Sequence, residues 1–370
     1  MRQFFVRFLG AILASITMTL APAPASAGAG SQIALLSEFC LYPDCGARLA
    51  YTSHEWGWAN PATLTETFDL GLDDWASVGG AYFYGSTIYS GTITAGFKPV
   101  VVQLNYVNAA VDGELPSSDL DLAFETSRWR LSLAWDLASV GIDGLSIGVI
   151  GVLPGSENKV GISTEIPDFG DLDLVKAHEE PGWDFTLGML YEMGERDWLR
   201  FGATLNVASY DSSVDALDLD SGEVYRTNST SNLWFGRLGA TVHPFVPMGL
   251  ASGESSWDEW LRKVEISADL RVVNISISGE DTIRPIDAFF GVDVPLLPRH
   301  WNPLAKYVEL VGVSGVGTDG SWGAGLGIYG QGPLRWLTCD TMYSSQPGGD
   351  LGKDFTLSGI GCTASMPLPF

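Results

Sequence analysis

Four histidines, His54, His178, His243 and His300, are all the imidazole that the 370 residues hold. A hydrolase built on them would need a serine, a histidine and a carboxylate or amide gathered on one rim. Ser209 with His178 or His243 is the available pairing, and no nucleophile motif singles it out. The acidic residues are more crowded: Asp211, Asp215, Asp218, Asp220 and Glu223 share "SYDSSVDALDLDSGEVY". Its core, "DLDSGE", has the residue types of a calcium loop without the ligand spacing. It reads as a solvated acidic loop, with weak calcium binding the less favoured alternative, and "EIPDFGDLDLVKAHEEPG" reads the same way. The Gly-rich "GSWGAGLGIYGQG" has strand spacing, not that of a phosphate cradle. The expectation is therefore a protein with no catalytic residues, no metal and no cofactor, and not an enzyme.

Four cysteines in so long a chain do not make a disulfide framework. Cys40 and Cys45 bracket the turn-forming "CLYPDC", where a small-loop disulfide is expected in an oxidising compartment. Cys339 and Cys362 fall on the last two expected strands and are candidates to bridge them. Cross-pairing between the two sets stays open, and would tether the N-terminal segment shut.

The elements that carry these residues show themselves in "WDFTLGMLYEMGERDWLRFGATLNV". Trp183, Phe185, Leu187, Met189, Tyr191 and Met193 take the odd positions, with Asp184, Thr186, Gly188 and Glu192 between them. Leu190 is the one apolar exception. Period two on both sides of Gly194–Asp197 predicts a β-hairpin with one apolar and one polar face. "RWRLSLAWDL", "VVVQLNY" and "KVEISADLRV" repeat the pattern, the last slipping by one at Val272–Val273, which suggests a β-bulge. The opposite faces carry Arg128, Arg130, Asp136, Arg200, Glu265, Asp269 and Arg271 in mid-strand. A soluble sandwich would turn those outward; a membrane barrel places them in a wet lumen and the aromatics against lipid. Tyr106, Trp129, Trp135, Trp183 and Tyr191 at strand ends fit interfacial girdles.

Composition favours the barrel. Only 17% of residues are charged, 44 are Gly and 13 are Trp. A net charge of −24, from 44 acidic against 20 basic residues, argues against nucleic acid as a partner. Residues 1–27 have the basic start, apolar middle and small-residue end of a secretory signal. No later stretch reaches the roughly 18 apolar residues of a spanning helix. The reading is an all-β, antiparallel transmembrane β-barrel in the bacterial outer membrane, its lipids the first partner. The strands expected near 64–73, 76–89, 93–107, 128–139, 143–153, 183–194, 197–209, 230–244, 263–279, 283–296, 305–316, 320–331, 334–344 and 354–370 make fourteen, within a range of 12 to 16. Long polar connections at 108–127, 154–182 and 210–229 would then share one side. "ESSWDEWLRK" interrupts the pattern with Trp257, Trp260 and Leu261 at helical spacing, suiting an inner-leaflet interface or a periplasmic partner.

Residues 28–62 are not strand-like and suit a hatch ahead of a barrel spanning 63–370. The run "WGWANPATL" puts Asn60, Pro61 and Ala62 just before the first expected strand. A helical N-terminal segment ending in Asn-Pro-Ala resembles the FadL-type outer-membrane transporters of long-chain fatty acids and other hydrophobic compounds. The resemblance implies a fourteen-stranded barrel with an N-terminal hatch. Shuttle barrels of a gliding-bacteria secretion system share the tripeptide, so the motif speaks to architecture more than to cargo. In the physical reading Pro61 fixes the backbone and Asn60 satisfies nearby amides. Ile33, Leu35, Leu36, Phe39, Leu41, Tyr42, Trp56 and Trp58 are candidates to line an apolar pocket for a small hydrophobic ligand. A terminal Phe370, with Leu368, Met366, Ala364 and Cys362 at alternate positions, looks like the C-terminal signature read by barrel-assembly machinery. Pro367 and Pro369 depart from it. Hatch-gated passage of hydrophobic molecules is the first functional expectation. A structural or partner-docking barrel and a general porin are the alternatives.

Overall fold

A computed structural model describes residues 60–367 except 71–73, 85–86, 115–119, 167–169, 194–197, 218–222, 252–254, 278–285, 299–300, 303, 305, 319, 332–333, 335–336 and 347–354. Sequence-adjacent strands pair antiparallel around a closed wall: β1 (Asp74–Tyr84), β2 (Thr87–Phe97), β3 (Val100–Glu114), β4 (Leu120–Asp136), β5 (Leu145–Val152), β6 (Glu157–Ile166), β7 (Gly170–Glu192) and β8 (Leu199–Leu217). β9 (Val224–Val242), β10 (Glu265–Ile277), β11 (Ile286–Pro295), β12 (Val308–Gly317), β13 (Trp322–Gly330), β14 (Leu337–Gln346) and β15 (Phe355–Pro367) complete it, and β15 pairs with β1. β5 and β6 both lie between β4 and β7, end to end, so fifteen strands make fourteen staves. Closure leaves no edge, the condition for a sheet in lipid.

The hairpin of β7 and β8 decides which face is outside. Trp183, Phe185, Leu187, Met189 and Tyr191 are exposed, while Asp184, Thr186 and Leu190 are buried. The same parity exposes Trp129, Leu131, Leu133 and Trp135 on β4 and buries Arg128, Arg130 and Ser132. Aromatic rings gather at two heights. Tyr106 stacks 4.6 Å from Trp129, and Trp322 lies 5.3 Å from Tyr343. Tyr191 and Phe201 pair near the opposite end. From Trp183 to Tyr191 the strand rises ~27 Å, about 20 Å along the axis at a tilt of roughly 40°, close to the ~25 Å apolar band of such barrels. An apolar belt facing out, with charged side chains facing in, is stable only in lipid. The chain is a membrane-spanning β-barrel of the outer-membrane type.

Four expectations need correction. The strand expected at 64–73 does not form over 64–70, because Pro61–Leu70 forms a 3-10 segment lying against the inner wall. The hydroxyls of Thr63 and Thr65 donate to the carbonyls of Asn60 and Ala62, bonds that tighten the chain into turns and compete with a ladder. The connections at 108–127, 154–182 and 210–229 are largely strand. β3 and β4 pair to Glu114 and Asp121, β6 and β7 to Ile166 and Gly170, and β8 and β9 to Leu217 and Val224. β7 has 23 residues, against the ~9–11 that a crossing needs. Finally, β10 shows no bulge at Val272–Val273, since its register with β9 runs unbroken from Ile266 to Ile277. The sites of irregularity are on β7, at Pro181–Trp183 and opposite Ile162–Ser163. Asp136 is also displaced from the lumen, and caps the short turn Leu137–Val140.

The Cys339–Cys362 bridge is present, joining directly opposed residues of β14 and β15. It ties the last stave to its neighbour beside the β1–β15 closure. With a sequence separation of 23, the chain-entropy model assigns it about 3 kcal/mol. Reducing the folded protein is therefore expected to lower its thermal midpoint without opening the wall, read from the migration of folded and unfolded forms in cold SDS gels. A Cys339→Ser/Cys362→Ser variant unaffected by reductant is the control. Cys40 and Cys45 lie outside the described residues.

Candidate functional site

Inside the wall three levels follow one another along β7. The first is the seat of the N-terminal segment. Asn60, Pro61, Ala62, Thr63, Leu64 and Thr65 are all buried. Asn60 donates its amide to the Met189 carbonyl at 2.9 Å and accepts from the Ala62 amide at 3.1 Å. Thr65 reaches Ser146 on β5 at 2.7 Å. The wall receives this segment at Gly148 and Gly188, which are cross-strand partners. A Cβ built on Gly148 would lie 2.6 Å from the Pro61 carbonyl carbon, and one on Gly188 2.5 Å from Pro61 Cδ. Leu190, the exception to the alternation, is 2% exposed and packs on Ala62. Leu64 packs with Trp75, Val101 and Ala134, closing that end with an apolar cluster.

The second level is a polar collar. Asp184 accepts from Asn206 at 2.8 Å and from the Tyr210 hydroxyl at 2.6 Å, and faces Arg128 at 3.6 Å. Both charged side chains are within 4% of full burial. Arg128 also lies over the Tyr210 ring and reaches Asn158, which donates to Glu179 at 2.8 Å. Further round the wall Arg237 covers the ring of Phe235, the cross-strand partner of Asn206, and Arg271 bonds Asp287 at 2.7 Å.

The third level begins at the collar and the aromatic girdle and continues beyond them, where the faces exchange character. Ala208, Tyr210, Leu233 and Phe235 form a buried apolar cluster on the lumen side. Register places Ala177 and Val214 in one cross-strand row, two residues beyond the inward row of Thr126, Asn158, Glu179 and Ser212. The alternate row carries Glu125, Lys159, His178 and Ser213. Lys159 pairs with Glu157 at 2.6 Å, His178 with Glu180 at 2.9 Å, and Arg226 with Asp215 at 2.6 Å. The Arg226 guanidinium holds the Asp215 carboxyl below the usual aspartate value. Water replaces lipid outside at this height, so the apolar face turns inward. Val273 and Ile275 are in register with Phe235 and Leu233. The register passes through them without a bulge.

The wall is interrupted beside the collar. β5 pairs with β7 up to Gly151 and Phe185, and β6 resumes at Asn158 and Glu179. Between them the chain leans to β4: the Leu153 amide donates to the Trp129 carbonyl at 2.8 Å, and the Ser156 hydroxyl accepts from the Trp129 amide at 3.0 Å. Residues 152–157 leave 180–184 of β7 without a ladder on that side.

Of the residues read from sequence as a site, Asn60, Pro61 and Ala62 come together on Gly148 and Gly188. Phe39, Leu41, Tyr42, Trp56 and Trp58 lie outside the described residues. Ser209 is in register with Trp183, while His178 is in register with Ser213 and His243 faces Glu265 at 3.7 Å. No serine–histidine pair forms from them. Among the described residues no group of three or more His, Cys, Asp or Glu is placed to hold a metal ion. Asp211 and Asp215 of the acidic stretch are separately engaged by Thr230 and Arg226. The collar and the glycine seat were missed. Inward glycines facing each other across β5 and β7 were the available signal for the seat.

No family model matches the sequence, and no curated protein matches it. Among solved structures, the CymD monoaromatic hydrocarbon channel is 11% identical, with 89% of this chain and 98% of that one covered and a TM-score of 0.47. The Ralstonia pickettii toluene transporter TbuX is 12% identical over 88% and 95% of the two chains, also at 0.47. A Pseudomonas aeruginosa FadL homologue is 12% identical over 86% and 94%, again at 0.47. None of these superpositions reaches 0.5, so they carry no weight on what passes through this barrel.

Proposed function

We propose that the barrel passes small hydrophobic molecules across an outer membrane, with its N-terminal segment as the hatch. The inversion of polarity beyond the girdle carries this reading. A wall that turns its apolar face inward once it leaves lipid builds a cup whose lining water solvates poorly, and apolar solutes partition into it. The cluster of Tyr210, Leu233 and Phe235 forms the floor of that cup. Beneath it the collar of Arg128, Asp184 and Asn206 offers an apolar solute nothing for the desolvation it would require. The interruption beside Leu153–Ser156, at the height of Trp129 and Trp183, is the exit into lipid. Asn60–Thr65 seals the lumen below, and Phe39, Leu41, Tyr42, Trp56 and Trp58 are the proposed lining on that side. A general porin is disfavoured by the buried ion pair and the seated segment, both of which fill space on the lumen side of the wall.

The test is saturable binding of an apolar fluorescent probe by the purified protein, beside its single-channel conductance. Binding without steady conductance is expected. Leu233→Asp, with folding verified by its cold-gel migration, is expected to weaken the probe by about tenfold or more, equivalent to roughly 1.4 kcal/mol. Steady conductance in the unaltered protein, or probe affinity indifferent to Leu233→Asp, would sink the reading.

A further inference from the structure

The helix α1 (Ser256–Arg262), between β9 and β10, is tightly built. Ser255 and Asp258 form a reciprocal capping box at its start. Trp260 donates its indole N–H to the Pro295 carbonyl at 2.6 Å, fixing the helix to the end of β11. Trp260 and Leu261 pack with Phe245, Ala251 and Val264, and Val294 joins the same cluster. Val294 settles where the helix lies. Its neighbour Asp293 is buried on the lumen side, so Val294 belongs to the outer, apolar face of the wall, the face on which Phe290 is exposed. The apolar side of α1 therefore packs on the outer face of the wall, while Lys263 at its end reaches over the rim to Glu309, whose shared parity with Val313, the partner of Asp293, puts it on the lumen-side row.

That placement leaves a ledge of exposed apolar surface continuous with the lipid-facing belt. Trp257 meets the rings of Trp260 and Trp301 edge-on, 5.8 and 5.2 Å away, while remaining exposed itself. Leu297 and Leu304 extend the ledge, and both are exposed. The polar side holds Lys263, paired with both carboxylate oxygens of Glu309 at 2.8 Å. An indole-rich edge backed by an ion pair is the chemistry of the headgroup boundary, where the apolar body of a tryptophan is buried and its polar tip stays wet.

The geometry points to α1, with Leu297, Trp301 and Leu304, as an interfacial anchor, docked on the phospholipid leaflet at the end of the barrel where β1 and β10 begin. It rests on the membrane reading and not on what the lumen carries. The experiment compares the full chain with a Trp257→Phe/Trp301→Phe variant, each reconstituted in phosphatidylcholine vesicles brominated at a shallow or a deep acyl position. The fluorescence difference between the two proteins reports the two ledge indoles. The expected difference signal is quenched most by shallow bromines and little by aqueous iodide. A difference signal quenched by iodide and by neither lipid overturns the inference and leaves the ledge facing water, open to a soluble partner. Strongest quenching by deep bromines overturns it too, placing α1 within the spanning wall. Failure of the membrane reading itself would look different, because the remaining indoles, Trp129 and Trp135 among them, would escape both brominated lipids.

Discussion

Gly188→Ala is expected to dislodge Asn60–Thr65 from the inner wall while the barrel stays closed. A Cβ at this position would lie 2.5 Å from Pro61 Cδ and 2.8 Å from Pro61 Cγ, separations that real Cβ atoms do not adopt. Pro61 has little freedom to yield, since its ring fixes the local backbone and the flanking Asn60 is pinned to the Met189 carbonyl. The wall has no cause to yield either, because its ladder is paired on both sides of Gly188. Overpacking of this kind costs about 1–3 kcal/mol, comparable with what the seat gains from burying Leu64, roughly 1.5–3 kcal/mol for such a side chain. Channel noise or steady conductance should appear where the parent protein has none, and protease should cut N-terminal to β1. Gly151→Ala is the matched control, since its Cβ would meet only Phe185 at 3.4 Å, an ordinary contact. Gly148→Ala pushes on the same proline, so combining it with Gly188→Ala should add less than the sum of the two. Were Gly188→Ala to behave like Gly151→Ala, the glycine pair would not be the seat.

The parts of this fold that sequence conveyed are those where two solvents lie on either side of one strand. From Trp183 to Val207 lipid outside and polar contacts inside write an alternation that needs no structure to read, and even its exception is informative. Leu190 breaks the pattern because a third element, Ala62, covers it. Where the same strands leave the membrane, the rule that identified them stops holding. At Lys176, His178 and Glu180 water outside replaces lipid, so charge and apolarity trade faces and the ladder continues through what reads as a loop. Val273 and Ile275 gave a phase change that periodicity alone assigns to backbone irregularity, though the register there runs unbroken. Asn60-Pro61-Ala62 was visible as a motif, but its partner was not. Gly148 and Gly188 matter for a side chain they lack, and one strand's residues do not say which element will approach them.

Asp184→Ala is expected to have the largest effect on stability, about 3–5 kcal/mol, because it strands a buried cation. Arg128 is 3% exposed, and the carboxylate it faces also holds Asn206 and the Tyr210 hydroxyl. Removing it takes away an ion pair and two hydrogen bonds at once, and leaves Tyr210 and Asn206 to find other acceptors in a site closed to bulk water. Asp184→Asn keeps an acceptor for Tyr210 but loses the charge, so its cost should fall between that of the alanine variant and the parent. The discriminating variant is Arg128→Leu/Asp184→Leu, which removes both charges. If the pair serves mainly to position the collar, this double variant should recover most of the lost stability, since matched apolar replacements of buried ion pairs are often neutral. It should also let apolar probe pass axially, because the floor of the cup would no longer end in charge. Urea midpoints of the folded form, measured beside probe flux into vesicles, separate the two effects. Recovered stability without new axial flux would leave the collar a structural clamp and shift the burden of closure to the seat on Gly148 and Gly188.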